Sequence, residues 1–155
     1  MLSKPLLAVL LSVALAASAY AAGSSSSSKR PSQPSTFDLG EKAVKAKDFE
    51  RALSLLKKVV GSDPGNADAW NYIGFSHRKL DQLDRALPAY QKALAIDPDH
   101  RGANEYLGEL YLKTGNLEKA RERLKKLDAI CTFGCGEYDD LKQAIKTYEA
   151  RRKKG

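Results

Sequence analysis

Both cysteines of the 155-residue chain lie in one short stretch, Cys131-Thr132-Phe133-Gly134-Cys135. Three chemistries use such a pair. Under oxidising conditions two thiols this close join as a local disulfide, and Gly134 supplies the backbone freedom that turns Cys135 back towards Cys131. Two soft thiolates at this spacing could instead hold Cu(I). A redox-active pair is the third use, although thioredoxin-like oxidoreductases space their cysteines as C-x-x-C. We read Cys131 and Cys135 as a structural disulfide, with copper or thiol-redox handling as the alternative. Zinc is not expected, because His77 falls in an apolar helical pattern and His100 in a different loop, away from both thiols. No other stretch offers catalytic chemistry. Gly134 and Gly136 lack the strand-to-helix setting of a phosphate loop, and no nucleophile stands with a histidine partner. The chain is expected to be no enzyme and to carry no cofactor.

Charge is the next signal. Lysine and arginine outnumber acids 26 to 19, and three basic columns recur at one interval: Lys45, Lys79 and Lys113; Lys58, Lys92 and Lys126; Arg51, Arg85 and Lys119. Such columns could mark a nucleic-acid face. Acids such as Asp84, Glu118 and Glu122 intersperse with them, and the N-terminus reads as an export signal, so no nucleic-acid partner is expected. The tail Arg151-Arg152-Lys153-Lys154 is a sharper cluster, suited to weak contact with an anionic surface or an acidic partner.

That export signal spans residues 1–21: Lys4, an apolar run from Pro5 to Ala17, then the small-x-small site Ala19-Tyr20-Ala21. The run is too short for a spanning helix and lacks a stop-transfer flank, so no stable membrane anchor is expected. No cysteine follows it that could carry a lipid. The expected location is the periplasm or the exterior. Residues 22–35, rich in serine, should form a disordered linker.

What must position the cysteines is a repeat. Trp70-x-x-Ile73-Gly74-x-x-His77, Ala86-x-x-x-Tyr90-x-x-Ala93 and Asp97-Pro98 set out large and small apolar slots. The slots recur 34 residues earlier as Thr36, Leu39, Gly40, Ala43, Ala52, Leu56, Val59 and Pro64, and 34 later as Asn104, Leu107, Gly108, Tyr111, Ala120, Leu124 and Leu127. Period and slot chemistry resemble the tetratricopeptide repeat family, whose helix-turn-helix unit follows W-x₂-L-G-x₂-Y…A-x₃-F…P. The resemblance implies an all-α, right-handed solenoid of three helix pairs over residues 36–134, in units of about 33–66, 67–100 and 101–134. The small slots predict close approach of the paired helices at Gly74, Ala86 and Ala93. Six helices are expected, the second ending at Val60 before Gly61-Ser62-Asp63-Pro64-Gly65. Pro88 should cost the fourth helix a hydrogen bond or bend it slightly.

After Cys131 the period holds for one more helix, with Tyr138, Leu141 and Ile145 in register, but Lys142 takes the glycine slot. Residues 135–155 therefore read as a capping helix and basic tail. The run Cys131-x-x-Gly134-Cys135-x-Glu137-Tyr138-x-Asp140-Leu141 looks like the ending of a group of small exported bacterial tetratricopeptide proteins, which supports a periplasmic location.

The resemblance also implies a function: a non-enzymatic interaction module that takes a peptide or helix of another protein, expected to be of the cell envelope, into a concave groove lined by the first helix of each unit. Its groove positions would be Phe37, Glu41 and Lys45; Asn71, Phe75, Arg78 and Lys79; and Glu105, Glu109, Leu112 and Lys113. Phe75 and Leu112 would be apolar anchors, with Asn71 and Arg78 as donors. The family's clamp for a C-terminal carboxylate is not expected, because Phe37, Glu41, Gly102 and Tyr106 hold the places of its lysines, asparagine and arginine.

Overall fold

The side chains of Ser35, Asp48, Asn66, His100 and Asn116 each accept a hydrogen bond from the backbone amide three residues on, and each starts a helix. The computed structural model describes residues 34–153. Among them the helices are α1 (Thr36–Lys45), α2 (Phe49–Ser62), α3 (Ala67–Lys79), α4 (Leu83–Ile96), α5 (Arg101–Lys113), α6 (Leu117–Ile130) and α7 (Gly136–Arg152). The export signal and nearly all of the expected linker lie outside the described residues. No described helix is long and apolar enough to cross a membrane.

Three pairs, α1 with α2, α3 with α4 and α5 with α6, stack in chain order, and α7 packs on α5 and α6. Inside each pair the turn passes through one residue in the left-handed region: Lys47 at φ 60°, Asp81 at 60° and Gly115 at 81°. Glycine adopts that conformation freely, whereas the two L residues are strained by it. The second helix does not end at Val60. It runs through Gly61 to Ser62, whose hydroxyl donates to the carbonyls of Lys58 and Val59, and the backbone leaves helical values only at Asp63. Pro88 lies inside a continuous α4.

The glycine slots work differently from a direct backbone approach. A Cβ on Gly40 would stand 2.8 Å from Leu56, and one on Gly74 would stand 2.7 Å from the Tyr90 ring. Each glycine is thus the seat of a large side chain from its partner helix. In the third unit Leu124 holds the corresponding place but is only half-buried, and the atoms nearest Gly108 belong to Leu141 of α7, at 2.5 Å. Lys142 is exposed, with its ammonium 5.0 Å from the centre of the Tyr138 ring.

Candidate functional site

Helices α1, α3 and α5 carry every expected groove residue, and the structure sorts most of these into two clusters. In the first, Glu41 pairs with Lys45 at 2.9 Å and accepts a hydrogen bond from the Tyr72 hydroxyl at 3.1 Å, while Phe37 packs on the Tyr72 ring at 6.1 Å. These bonds from Lys45 and then Tyr72 hold the Glu41 carboxyl below its ordinary range. Burial, then the bond to Glu41, pushes the Tyr72 hydroxyl up to about 12.

The second cluster is aromatic and centred on Arg78. Phe75 and Tyr106 pack at a tilt of 48° with centroids 4.8 Å apart, and Phe49 meets Phe75 edge-on at 6.1 Å. The Arg78 guanidinium lies 5.4 Å from the Phe75 centroid and 5.3 Å from that of Tyr106. It bonds Glu109 at 2.5 Å and donates through Nε to the Tyr90 hydroxyl at 3.3 Å. The Arg78 side chain is only 11% exposed, and these two bonds engage two of its five N–H donors. It holds the rings and Glu109 in place. The ammonium of Lys79 sits 5.1 Å above Phe75, and Lys113 pairs with Asp81 at 2.5 Å.

Three other expected residues lie deeper. Leu112 is buried in the cluster of Leu127, Leu141 and Ile145, at the floor of a depression of about 400 Å³ between α5 and α7 that Arg78, Glu109 and Tyr148 also line. Asn71 is buried, its Oδ1 without a hydrogen-bond partner, and its amide fits against Gly102, where a Cβ would stand 3.2 Å from Nδ2. Glu105 is 7% exposed, and among the described residues no hydrogen bond or ion pair reaches its side chain. Burial, followed by the like charges of Glu109, Asp140 and Glu137, pushes its carboxyl up to about 8.

Tyr72 and Tyr106 organise the two clusters, yet Tyr72 is absent from the residues expected at this face and Tyr106 is named only as the occupant of a carboxylate-clamp position. Their signal was present: they stand 34 residues apart, one period, beside the positions chosen.

Away from this face, Cys131 and Cys135 are joined in a disulfide with Cα atoms 5.7 Å apart. Cys131 closes α6 by donating its amide to Leu127, and Cys135 opens α7. Gly134, at φ 82°, returns its amide to the Cys131 carbonyl at 2.9 Å. Joined sulfurs offer no thiolate to a metal ion. Phe133, at the tip of this loop, is fully exposed.

Two sequence models described as tetratricopeptide repeat match the chain, one over residues 37–100 and the other over 77–145. No curated protein sequence matches. Among solved structures, MamA residues 41-end from Desulfovibrio magneticus RS-1 is similar at 26% identity and a TM-score of 0.58, covering 61% of this chain and 54% of that one. This chain therefore spans about half the length of the MamA chain it matches. The first tetratricopeptide domain of Spaghetti (RPAP3), bound to the HSP90 peptide SRMEEVD, superposes at 0.64 with 16% identity, over 72% of this chain and 89% of its own. PcrH in complex with the chaperone binding region of PopD does so at 0.64 with 18%, over 76% and 90%. These last two show the fold alone. The 34-residue period, the glycine-seated helix pairs and the matches that together run from residue 37 to 145 place this chain in the tetratricopeptide repeat family, whose repeats build protein–protein interaction modules.

Proposed function

We propose that this protein is a periplasmic or secreted adaptor that takes a peptide or helix of another envelope protein onto the face formed by α1, α3 and α5. The Arg78 cluster carries the reading. Its largely buried guanidinium fixes Phe75 and Tyr106 as a rigid, partly exposed aromatic surface, with Lys79 and Glu109 at the edge to orient a polar backbone. A preorganised aromatic surface loses little side-chain entropy when a ligand arrives. Two of the similar folds hold a peptide or a segment of another protein, which supports the same use here. The export signal read in residues 1–21 supports the location.

Because removing Arg78 would also release the rings and Glu109 that it holds, the face is best tested elsewhere. Phe75→Ala combined with Lys79→Glu should abolish capture of the partner in a crosslinking pull-down from native periplasm, with the circular dichroism spectrum unchanged. If the double variant retains the same captured protein, the assignment of this face is wrong. Recovery of the protein in the cytoplasmic fraction rather than the osmotic-shock fluid would overturn the location. Thiol counting on protein from the periplasm should find no free thiol; two free thiols with bound copper would replace the structural disulfide by the metal-handling reading.

A further inference from the structure

On the side of the molecule formed by α2 and α4, an open cleft of about 630 Å³ is floored by Val60, Trp70, Ile73 and Ala89. Its origin lies in one small residue. Ala89 occupies a slot that holds Leu55 one period earlier and Arg123 one period later, so only the middle unit lacks a side chain large enough to fill the space beside Trp70. The rim carries Lys57, Arg85 and Lys92 against the single acid Asp84. All four are exposed, and none of the three cations takes part in an ion pair among the described residues.

The complementary surface is on the same chain. Phe133 is the one large hydrophobic side chain that is fully exposed among the described residues. It projects from a loop whose ends are tied by the Cys131–Cys135 disulfide. Between Lys126 and Lys142 the sequence carries Asp128, Glu137, Asp139 and Asp140 and no cation at all. An apolar knob in an acidic setting therefore matches an apolar cleft with a basic rim.

We propose that Phe133 of one copy inserts into the Trp70–Ala89 cleft of a second copy, so that the protein self-associates head to tail. The contact is heterologous: each copy that donates its loop still has an open cleft, and each that accepts still has a free loop, so the assembly grows as a chain unless its geometry closes a ring. The remainder of the chain fits the cleft less well, since residues 1–35 carry Lys4, Lys29 and Arg30 and no acid to meet the basic rim. The interface uses neither Phe75 nor the Arg78 cluster, so association leaves the proposed partner-binding face free. A single aromatic anchor with peripheral charges makes a weak contact whose orientation is set by charge.

The chain's one tryptophan lines the cleft and reports its occupation. Sedimentation equilibrium on the purified protein, from about 20 µM to about 1 mM, covers the range in which so small an interface is populated. The weight-average mass should rise with concentration, Trp70 emission should shift to the blue in parallel, and added NaCl should weaken both. Phe133→Ala should weaken association at least tenfold. Ala89→Leu, which restores the side chain found at Leu55, should do the same, as should Lys57→Glu with Lys92→Glu, both at exposed positions that folding does not need. Mixing supplies the decisive comparison: Phe133→Ala keeps its cleft and Ala89→Leu keeps its loop, so the two together should form a dimer and stop there. A mass that stays monomeric throughout, association that survives Phe133→Ala, or a mixture that fails to dimerise while both variants keep wild-type helicity would overturn the proposal.

Discussion

Replacing Glu105 by glutamine isolates the most perturbed carboxyl described in the molecule. Glu105 is buried on α5, feels the like charges of Glu109 on its own helix and of Glu137 and Asp140 on α7, and the opposing charge of Arg78 is already bonded to Glu109. Its carboxyl goes from an ordinary 4.5 to about 8 on folding. Between those values the native state keeps a proton that the unfolded chain has released, so stability falls as pH rises from the lower to the upper value. Taken to completion, a shift of that size corresponds to on the order of 5 kcal/mol. Glutamine has the shape of the protonated acid and does not titrate. The variant should therefore differ from wild type by a small constant near pH 5 and become progressively the more stable of the two up to pH 9. At roughly 3 °C per kcal/mol, the gap in melting temperature should widen by about 10 °C or more across that range. Thermal unfolding followed by circular dichroism at pH 5, 7 and 9 measures it. Other titrating groups act equally on both proteins and cancel in the difference. If that difference is the same at all three pH values, Glu105 ionises normally in the native state and the account of its burial fails.

Other consequences of the fold are as direct. Gly74→Ala places a Cβ 2.7 Å from the fully buried Tyr90 ring and should destabilise by about 1–3 kcal/mol in urea unfolding. Gly61→Ala, where nothing lies within 4 Å, should instead stabilise by about 0.5–1 kcal/mol; equal effects would refute the seating of the slots. Reducing Cys131–Cys135, at a sequence separation of 4, should cost about 2 kcal/mol on the chain-entropy model. It should also speed amide exchange at the start of α7 more than in α3, a contrast that hydrogen-exchange mass spectrometry resolves. Lys47→Gly relieves a left-handed residue and should add about 0.5 kcal/mol; destabilisation would mean that the turn differs from the one described.

The 34-residue period located the helices because each slot is a local demand on size: glycine where a large side chain must sit, alanine where a partner helix passes. Recurrence made those demands visible at Gly40, Gly74 and Gly108. Side-chain partners across the stack left no such trace. Arg78 reads as a free groove cation until Glu109 is brought to it from the next unit. Leu112 reads as an exposed anchor until α7 covers it. The burial of Glu105 depends on the same helix, and nothing in the local pattern around residue 105 announces it. His100 as a helix cap and the left-handed Lys47 were hidden for another reason: their residue types seldom take those roles, and only the equivalence of positions 47, 81 and 115, an aspartate and a glycine at the last two, hinted at the turn.

Leu141 seated over Gly108 sets where this array can be cut and respliced. The first two units close over their own glycines with Leu56 and Tyr90, so a copy of residues 67–100 inserted before Arg101 would keep the junction to α5 that its parent already makes and add one new junction, between the parent's α4 and its own first helix. The third unit, in contrast, cannot be separated from α7. A unit spliced between α6 and α7 would have to bring its own leucine to the place of Leu141, and a duplicate of the middle unit would offer Ile73 there instead. Residues 101–152 thus behave as one exchangeable cassette, half as long again as a single repeat, and lengthening of the array by duplication is favoured upstream of it.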